Sequence, residues 1–459
     1  MTELPRRVHL VGVGGVGMNG IARILLARGY AVSGSDAKQS RTLDVLTALG
    51  GRMCVGHSAD QLGDAQAVVV SNAIRPDNPE VVEAERRGLP VLPRAAALAA
   101  IMTGNRALVV SGTHGKTTTT SMLTVALQHC GIDPSFVIGA DLNEAGSGAH
   151  HGSGDVFVAE ADESDGSFLR YSPHIAVITN VEADHLDHFP DLAAVRAAFA
   201  EFAGGVDPKG LLVVCADDEG ALWAAKAARC PVRTYGTSAD ADLRIENVEL
   251  VAAGSRFDVV DGDVRLSDIR LSVPGLHNVR NAAAALAAGM GLGLAGSELR
   301  VGLAHYAGVR RRFDFRGSAA GVRVYDDYAH HPTEITATLE AARVVAGGGR
   351  LVVAFQPHRY SRTATLATEL GAALGAADEV VVLEVYGAGE DPLVGVSGLT
   401  VAAAVPLPSG RVAFEPSFAA VAAAVAERAR SGDLVLTLGA GDVTLLAPEV
   451  LRALGGDAQ

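Results

Sequence analysis

The chain has 459 residues and a net charge of −14, with 20% of its residues charged; it is too long for one hydrophobic core, and three domains are expected. So acidic a chain offers no basic face to a nucleic-acid backbone, which excludes nucleic acid as a partner and leaves anionic ligands to local features. No apolar run reaches the roughly 18 residues of a membrane span, and "MTELPRRVHLVG" enters a strand too soon for a signal peptide, so the expectation is a soluble, cytoplasmic protein without membrane insertion.

Short Val, Leu and Ile runs alternate with Ala- and Leu-rich helical stretches for most of the length, the pattern of parallel sheets covered by helices, so the fold class is α/β throughout. The first domain takes strands at "RVHLVGVG", "AVSGSD" and "AVVVSNAI" and fades near residue 100. The second opens on "RALVVSGTHGKTTTT" and continues through "VFVAEADESD", "IAVITNVEADHLDH" and "LLVVCADDEG". Over residues 232–274 it becomes less regular, and the period-2 pattern of "RFDVVDGDVRLSDIRLSV" predicts antiparallel hairpins. A helix follows at "HNVRNAAAALAAGMGL". The third domain starts near "RRFDFRG" and carries strands "LVVAFQPH", "EVVVLEVYGAGE" and "DLVLTLGAGD", each ending in polar or glycine residues. Ligands of open parallel sheets bind beyond the carboxyl ends of the strands, so chemistry is expected at those endings. Cys54, Cys130, Cys215 and Cys230 are scattered without a CxxC pair and read as small core residues of a reducing compartment.

Gly12, Gly14 and Gly17 form G-x-G-x-x-G between a predicted strand and helix, and Asp36 ends the next strand about 20 residues on. Small residues let backbone approach a ligand, and a helix N-terminus presents unpaired N–H groups and a positive dipole end, which suits a diphosphate. The motif specifies a diphosphate flanked by a ribose and no particular base. NAD and a nucleotide sugar satisfy it equally, and glycines needed only for tight strand-to-helix packing would leave the same pattern.

Gly112, Gly115, Lys116 and Thr117 resemble a Walker loop but are shorter, the first glycine of G-x-x-x-x-G-K-[ST] falling at Val110. The chemistry survives the shortening. Consecutive N–H groups cradle phosphates, Lys116 offsets β/γ charge, and the Thr117 hydroxyl can ligate Mg²⁺. Around it lie Glu160, Asp162, Glu163 and Asp165 of "EADESD", and Glu182, Asp184, His185 and Asp187 of "VEADHLD". Either cluster alone reads as a solvated turn; because both follow apolar strands in the domain with the phosphate loop, they point to one or two Mg²⁺ held against ATP oxygens.

The ordered set "SGTHGKTTTT", "AEADESDGSFL", "ITNVEADHLDHF", "PGLHNVRNAAAA", "RRFDF", "DDYAHHPTEI" and "FQPHRYSRT" resembles the Mur ligase family, over residues from about 8 to about 445. That resemblance implies an N-terminal Rossmann-like UDP-binding domain (1–100), a central P-loop ATPase-type domain (101–311) and a C-terminal Rossmann-like domain (312–459) that closes over both and contributes to the amino-acid site. It gives the two glycine loops separate ligands. The first takes the UDP of a sugar substrate, through Gly12, Gly14, Gly15, Gly17, Asp36 and Ser71. The second takes ATP.

Carried over by position, the loop Gly112, Thr113, His114, Gly115, Lys116, Thr117 and Thr118 would hold the ATP phosphates, with Thr117, Glu160 and His185 on Mg²⁺. His277, Asn278, Asn281, Arg312 and Asp327 resemble the residues that hold ATP and its ribose. His330, Arg359 and Arg362 resemble those near the muramyl carboxylate and the incoming amino acid, where a planar guanidinium fork grips a carboxylate in a bidentate way. Arg359 and Arg362 also fit an ordinary surface pair, and His330 with His331 a structural pair at a loop. One departure stands out: where several family members carry a carbamylated lysine on the helix after the "DH" motif, this chain has Phe199.

The branch most resembled uses ATP to activate the lactyl carboxylate of UDP-N-acetylmuramate as an acyl phosphate, which L-alanine attacks, in peptidoglycan precursor synthesis. A sister branch joins an existing peptide to the same UDP-sugar, and "GVGGVGM" favours the former. An NAD-dependent oxidoreductase would leave "GTHGKTTTT" idle, and an ATP-driven switch needs neither the first loop nor "QPHRYSRT". A monomer or homodimer is expected.

Overall fold

The computed structural model describes residues 3–71, 73–143, 147–186 and 188–455; Asp187, named above in "VEADHLD", lies outside them. The chain forms two compact units, one of residues 1–246, 258–269 and 280–306 and the other of 247–257, 270–279 and 307–459.

The first unit begins with β1 (Arg7–Val11), α1 (Val16–Ala27), β2 (Ala31–Asp36), α2 (Arg41–Ala48), β3 (Arg52–Val55), β4 (Ala67–Val70), α3 (Pro79–Arg86), β5 (Val91–Pro93) and α4 (Arg94–Met102). The five strands make a parallel sheet in the order β3-β2-β1-β4-β5. Because β1 has β2 on one side and β4 on the other, the strand order reverses there, and a crevice opens at the carboxyl end of β1. The first glycine loop fills that position.

The chain continues through β6 (Arg106–Ser111), α5 (Lys116–His129), β7 (Ser135–Val137), β8 (Ala149–His150), β9 (Val156–Glu160), β10 (Ile175–Ile178), α6 (Leu192–Gly204), β11 (Leu211–Cys215), α7 (Glu219–Ala225) and β12 (Val232–Gly236). β13 (Leu243–Val251), β14 (Gly254–Asp261) and β15 (Val264–Leu271) follow, then α8 (Leu276–Gly291) and α9 (Gly296–Ala304). All ten strands share one sheet, β15-β14-β13-β12-β11-β10-β6-β9-β7-β8. Two-residue connections join the sheet neighbours β13, β14 and β15, the hairpins expected from the alternating pattern. β12 differs from its expected place in that irregular stretch, since it pairs parallel to β11 and extends the main sheet.

β6, flanked by β9 and β10, is the reversal point of this sheet, and its end carries the phosphate loop. α5 is unusual in its sequence: four consecutive threonines are poor helix formers, because a branched side chain loses rotamer freedom against the preceding turn. Burial and local bonding stabilise it. The hydroxyls of Thr120, Ser121 and Thr124 donate to the carbonyls of Lys116, Thr117 and Thr120 at 2.6–2.8 Å, so a helix buried on nearly every side leaves them satisfied. Phe199 on α6 is fully buried, its ring 5.3 Å from that of Phe168, which also stacks on Phe202. The position where the resemblance would put a modified lysine is here a piece of aromatic core.

The second unit is built on β16 (Asp314–Ala319), β17 (Val322–Asp327), α10 (Pro332–Ala346), β18 (Leu351–Phe355), α11 (Tyr360–Leu374), β19 (Glu379–Leu383), α12 (Gly398–Ala404), β20 (Val412–Glu415), α13 (Phe418–Arg428), β21 (Leu434–Leu438) and α14 (Leu446–Ala453). Its sheet runs β16-β17-β21-β18-β19-β20, with only the β16–β17 pair antiparallel. Asp327 and Phe355 both pair with Leu438. That register brings the carboxyl ends of β17, β18 and β21 together. The central strands are buried on both faces, which is why they read as unbroken apolar runs.

Candidate active site

The first glycine loop is held by the strand beside it. The N–H groups of Gly12 and Val13 both donate to the Ser35 carbonyl, at 2.9 and 3.0 Å, and Gly14 N–H donates to Asp36 Oδ2 at 2.9 Å. Asp36, expected among the residues that hold the UDP-sugar, shapes the loop itself. Ser71 closes the far side, its Cβ 3.2 Å from where a methyl on Gly12 would stand. Gly15 precedes α1 as its N-cap and offers no side chain, which leaves the helix N-terminus open. Below the loop, the Ser35 hydroxyl donates to Glu80 at 2.6 Å, and Glu80 also faces His9 and His57 at 3.3 and 3.0 Å. Burial works to raise the Glu80 carboxyl, but hydrogen bonds from His9, Ser35 and His57 hold it below the ordinary carboxylate range. Glu80 and the two histidines carried no motif and were not expected from the sequence.

The phosphate loop is braced from β10. Thr113 N–H donates to the Asn180 carbonyl at 3.0 Å, His114 N–H to Asn180 Oδ1 at 2.8 Å, and the Thr179 hydroxyl to the His114 carbonyl at 2.6 Å. Glu182 N–H donates to the Thr113 hydroxyl at 2.9 Å, and His114 Nε2 lies 3.5 Å from a Glu182 carboxylate oxygen. Glycine is required here by space as well as torsion: Gly112 has φ +135° with Thr179 against it, and at Gly115, φ +81°, a methyl would sit 2.7 Å from Asn281 Oδ1. Asn281, expected near ATP, therefore does lie against the loop. Thr118 is buried in the first turn of α5.

Lys116 Nζ donates to the Gly112 and Thr113 carbonyls at 2.7 and 3.1 Å and to both oxygens of Glu163, at 3.0 and 2.7 Å. Burial pulls the Lys116 ammonium down, but Glu163 and Asp162 beside it outweigh that and hold it above its ordinary range. Burial pushes the Glu163 carboxyl up to about 7, against the pull of Lys116. The Thr117 hydroxyl donates to Glu160 at 2.9 Å, and Glu160 also accepts from Gly139 N–H at 2.9 Å. His185 lies 3.6 Å from Glu163 and 3.7 Å from Asp184, with its backbone at φ +54°. A left-handed torsion at a non-glycine residue costs free energy and marks a side chain whose direction matters. Lys116, Thr117, Glu160 and His185 thus gather around one acid loop. Glu163, from the same motif, received no separate role in the sequence, though it is the partner of the lysine. The Thr117 hydroxyl and the Glu160 carboxylate at the loop are oxygen donors of the kind Mg²⁺ takes, while the His185 imidazole belongs to the set only by the resemblance.

In the second unit Arg312, Asp327, His330 and His331 lie close together near the joined strand ends, while His277 and Asn278 make contacts of their own. Asp327 accepts from Phe313 N–H at 2.7 Å and Ala329 N–H at 2.8 Å, so it fixes the loops on either side, and burial pushes its carboxyl up to about 6. Arg312 stands 3.9 Å from Glu334 and 5.2 Å above the Tyr328 ring, which Arg311 covers at 4.8 Å. Glu334 accepts from the backbone N–H of both His330 and His331 at the start of α10, at 3.1 and 3.3 Å. Asn278 Nδ2 donates to the Pro274 carbonyl at 2.7 Å, and His277 packs against Gly275.

Arg359 precedes α11 with φ +68° and lies 4.0 Å from Glu390, which accepts from Ser361 and so secures the helix start. Arg362 Nη1 faces His358 Nδ1 at 3.4 Å. The His358 ring is centred 5.8 Å from His330 and 5.7 Å from Tyr386. Burial, then the charges of His330, Arg362, Arg359 and Arg311, push His358 down to about 3, so its imidazole is neutral. His330, Arg359 and Arg362 thus surround the His358 imidazole. His358, at their centre, was legible as part of "QPHRYSRT" but not as the neutral member.

Comparison with known proteins agrees with this geometry. The family models described as "Mur ligase family, catalytic domain", "Mur ligase middle domain" and "Mur ligase, glutamate ligase domain" match residues 7–106, 110–289 and 311–441. A UDP-N-acetylmuramate–L-alanine ligase of Acidothermus cellulolyticus is 60% identical over 98% of this chain and 95% of its own length. The crystal structure of UDP-N-acetylmuramate-alanine ligase MurC from Thermotoga maritima superposes with a TM-score of 0.81 at 30% identity, covering 97% of this chain and 98% of that one. A murein peptide ligase from Psychrobacter arcticus gives a TM-score of 0.73 at 25% identity, over 99% and 100% of the two chains.

Proposed function

Because the chain belongs to the Mur ligases, with the three-domain α/β fold and ATP-dependent ligase chemistry of that family, we propose that it joins L-alanine to the lactyl carboxylate of UDP-N-acetylmuramate in peptidoglycan precursor synthesis. The products are UDP-N-acetylmuramoyl-L-alanine, ADP and phosphate. What carries the proposal is the meeting, in one chain, of a bare-glycine loop at the reversal point of one sheet and the Lys116–Thr117 loop, with Glu160 and Glu163, at the reversal point of the next. The domain limits follow the sequence: 1–100 for the UDP-sugar, 101–311 for ATP, 312–459 for the amino acid.

A carboxylate resists amine attack because its resonance is lost and the leaving group would be an oxide. ATP supplies the phosphoryl group that makes the carboxylate an acyl phosphate; Thr117, Glu160 and His185 would hold Mg²⁺, which would supply charge to offset the phosphates. Lys116 stabilises the charge of the transferring group. The loop from Gly12 to Gly17, with Ser71, holds UDP. Gly112 to Thr118 hold the ATP phosphates, while His277, Asn278, Asn281, Arg312 and Asp327 place the rest of the nucleotide. His330, Arg359 and Arg362 orient the carboxylates so that the neutral alanine amine meets the acyl carbon in line. No helix of the described residues is long and apolar enough to cross a membrane, and a cytoplasmic monomer or homodimer fits soluble substrates.

Phosphate release from ATP with Mg²⁺ and UDP-N-acetylmuramate tests the proposal, with L-alanine, glycine, L-serine or the murein tripeptide added one at a time. Release that needs both the UDP-sugar and L-alanine is the expected result. Release with the tripeptide instead moves the protein to peptide recycling, and release without the sugar returns the first loop to another nucleotide.

A further inference from the structure

Arg359 stands at the start of α11 in a conformation that the helix itself does not call for. A helix N-cap is ordinarily Ser, Thr, Asp or Asn, whose side-chain oxygen accepts from an N–H of the first turn. A guanidinium has no acceptor, and its charge is opposed by the positive end of the helix dipole. Arg359 nevertheless holds that place, with φ +68° and ψ 136°, a region in which a residue with a Cβ is strained. Its backbone is fixed on both sides. The Arg359 N–H donates to the Tyr386 carbonyl at 2.8 Å, and the Arg359 carbonyl accepts from the Thr363 N–H at 3.1 Å and the Thr363 hydroxyl at 2.8 Å.

The cap that Arg359 cannot supply comes from the loop after β19. Tyr386 N–H donates to the Pro357 carbonyl at 2.9 Å and His358 pairs parallel with Tyr386, so this loop continues the pairing of β18 and β19 past the strand ends. The chain then turns through Ala388 and Gly389, at φ +51° and +91°, and the Glu390 N–H donates back to the Gly387 carbonyl at 2.9 Å. That turn delivers the Glu390 carboxylate to the first turn of α11, where Oε2 accepts from the Ser361 N–H at 2.9 Å and Oε1 from the Ser361 hydroxyl at 2.6 Å. Oε1 also lies 4.0 Å from Arg359 Nε. One carboxylate, 29 residues along the chain from Ser361, thus caps the helix, places negative charge at its positive end and faces the arginine. A serine or aspartate at position 359 would cap α11 without any of this. The strained torsion and the cap brought from another loop have a reason if a guanidinium is needed at that point.

We propose that Glu390 is a further positioning residue, which holds Arg359 in place to grip the carboxylate of the incoming amino acid. It acts through Arg359 and not on the substrate. This rests on the reading of the chain as a ligase whose Arg359 meets that carboxylate.

The test is steady-state kinetics of the intact wild type, Glu390→Ala, Glu390→Gln, Arg359→Lys and the double variant Glu390→Ala with Arg359→Lys, each substrate varied in turn, with melting temperatures beside it. Glu390→Ala should raise KM for L-alanine by about tenfold or more, the scale of hydrogen bonds to a charged group, while KM for ATP holds. Glu390→Gln keeps an acceptor for the Ser361 N–H and loses the charge, so its KM should fall between those of Glu390→Ala and the wild type. Arg359→Lys loses the planar fork and should raise the same KM. In the double variant the rise should be smaller than the product of the two separate rises, because both changes act on one guanidinium. A rise equal to that product would mean that Glu390 acts independently of Arg359 and overturn the proposal. A lower melting temperature with KM for L-alanine unchanged would make Glu390 a helix cap only and overturn it too. A rise confined to UDP-N-acetylmuramate would put the arginine on the lactyl carboxylate and overturn the amino-acid assignment. Wild-type phosphate release that does not depend on L-alanine would instead remove the reading on which the proposal rests, a failure distinct from the others.

Discussion

Lys116 Nζ lies 2.7 Å from Glu163 Oε2, with the two side chains only 13% and 2% exposed. The lysine is thus held in the phosphate loop by a carboxylate that a γ-phosphate would replace as its anionic partner. Lys116→Ala should lower turnover by about 10²-fold or more, the scale set by removal of one transition-state charge contact. Affinity for UDP-N-acetylmuramate, held at another sheet, should stay unchanged. Pre-steady-state phosphate release and equilibrium titration of the sugar nucleotide check this; loss of both functions together would contradict separate sites.

Glu160 accepts from Thr117 and from Gly139 at once. Glu160→Gln keeps the size and loses the charge, so the apparent Mg²⁺ requirement should rise by about tenfold or more, a hard cation preferring an ionised oxygen. Mg²⁺ dependence of phosphate release measures it. An unchanged requirement would remove Glu160 from the metal set.

Phe199 is fully buried against Phe168. Phe199→Ala should cost about 3–5 kcal/mol of stability, the transfer of the ring plus the cavity left behind. Denaturant unfolding checks the figure, and a loss under about 1 kcal/mol would mean the site collapses more fully than its aromatic neighbours suggest.

His358 is pushed from its ordinary 6.5 down to about 3. The unfolded chain therefore binds more protons than the folded one between those values. The contribution is fully present above about 6.5 and is lost as pH falls toward 3. His358→Gln should show a smaller drop in melting temperature between pH 6.5 and 4 than the wild type, the same limits on which the shift acts. Parallel pH profiles would argue that His358 is not held neutral.

Much of the site was legible because its chemistry is local. A glycine, lysine and threonine between an apolar strand and a helix mark a loop suited to phosphate at a strand end, and the motif positions of Gly112 to Thr118, Glu160 and His185 follow chain order. The strand and helix pattern was equally plain, since the central parallel strands are buried on both faces and most covering helices on one. β12 was placed in the irregular stretch because its sequence, VRTYG, lacks the unbroken apolar run of β10 and β11.

The sequence by itself determined that there are two glycine loops, where they begin, and which residue types could hold phosphate and metal. Only the tertiary structure decided which carboxylate pairs with Lys116, that Asp36 and Asp327 shape loops, that His358 is neutral among arginines, and that Glu390 caps α11 from the loop after β19. Periodicity and motif spacing are properties of neighbouring residues. Charge state and partnership depend on burial and on groups brought from distant strands, and those are set when the sheets close.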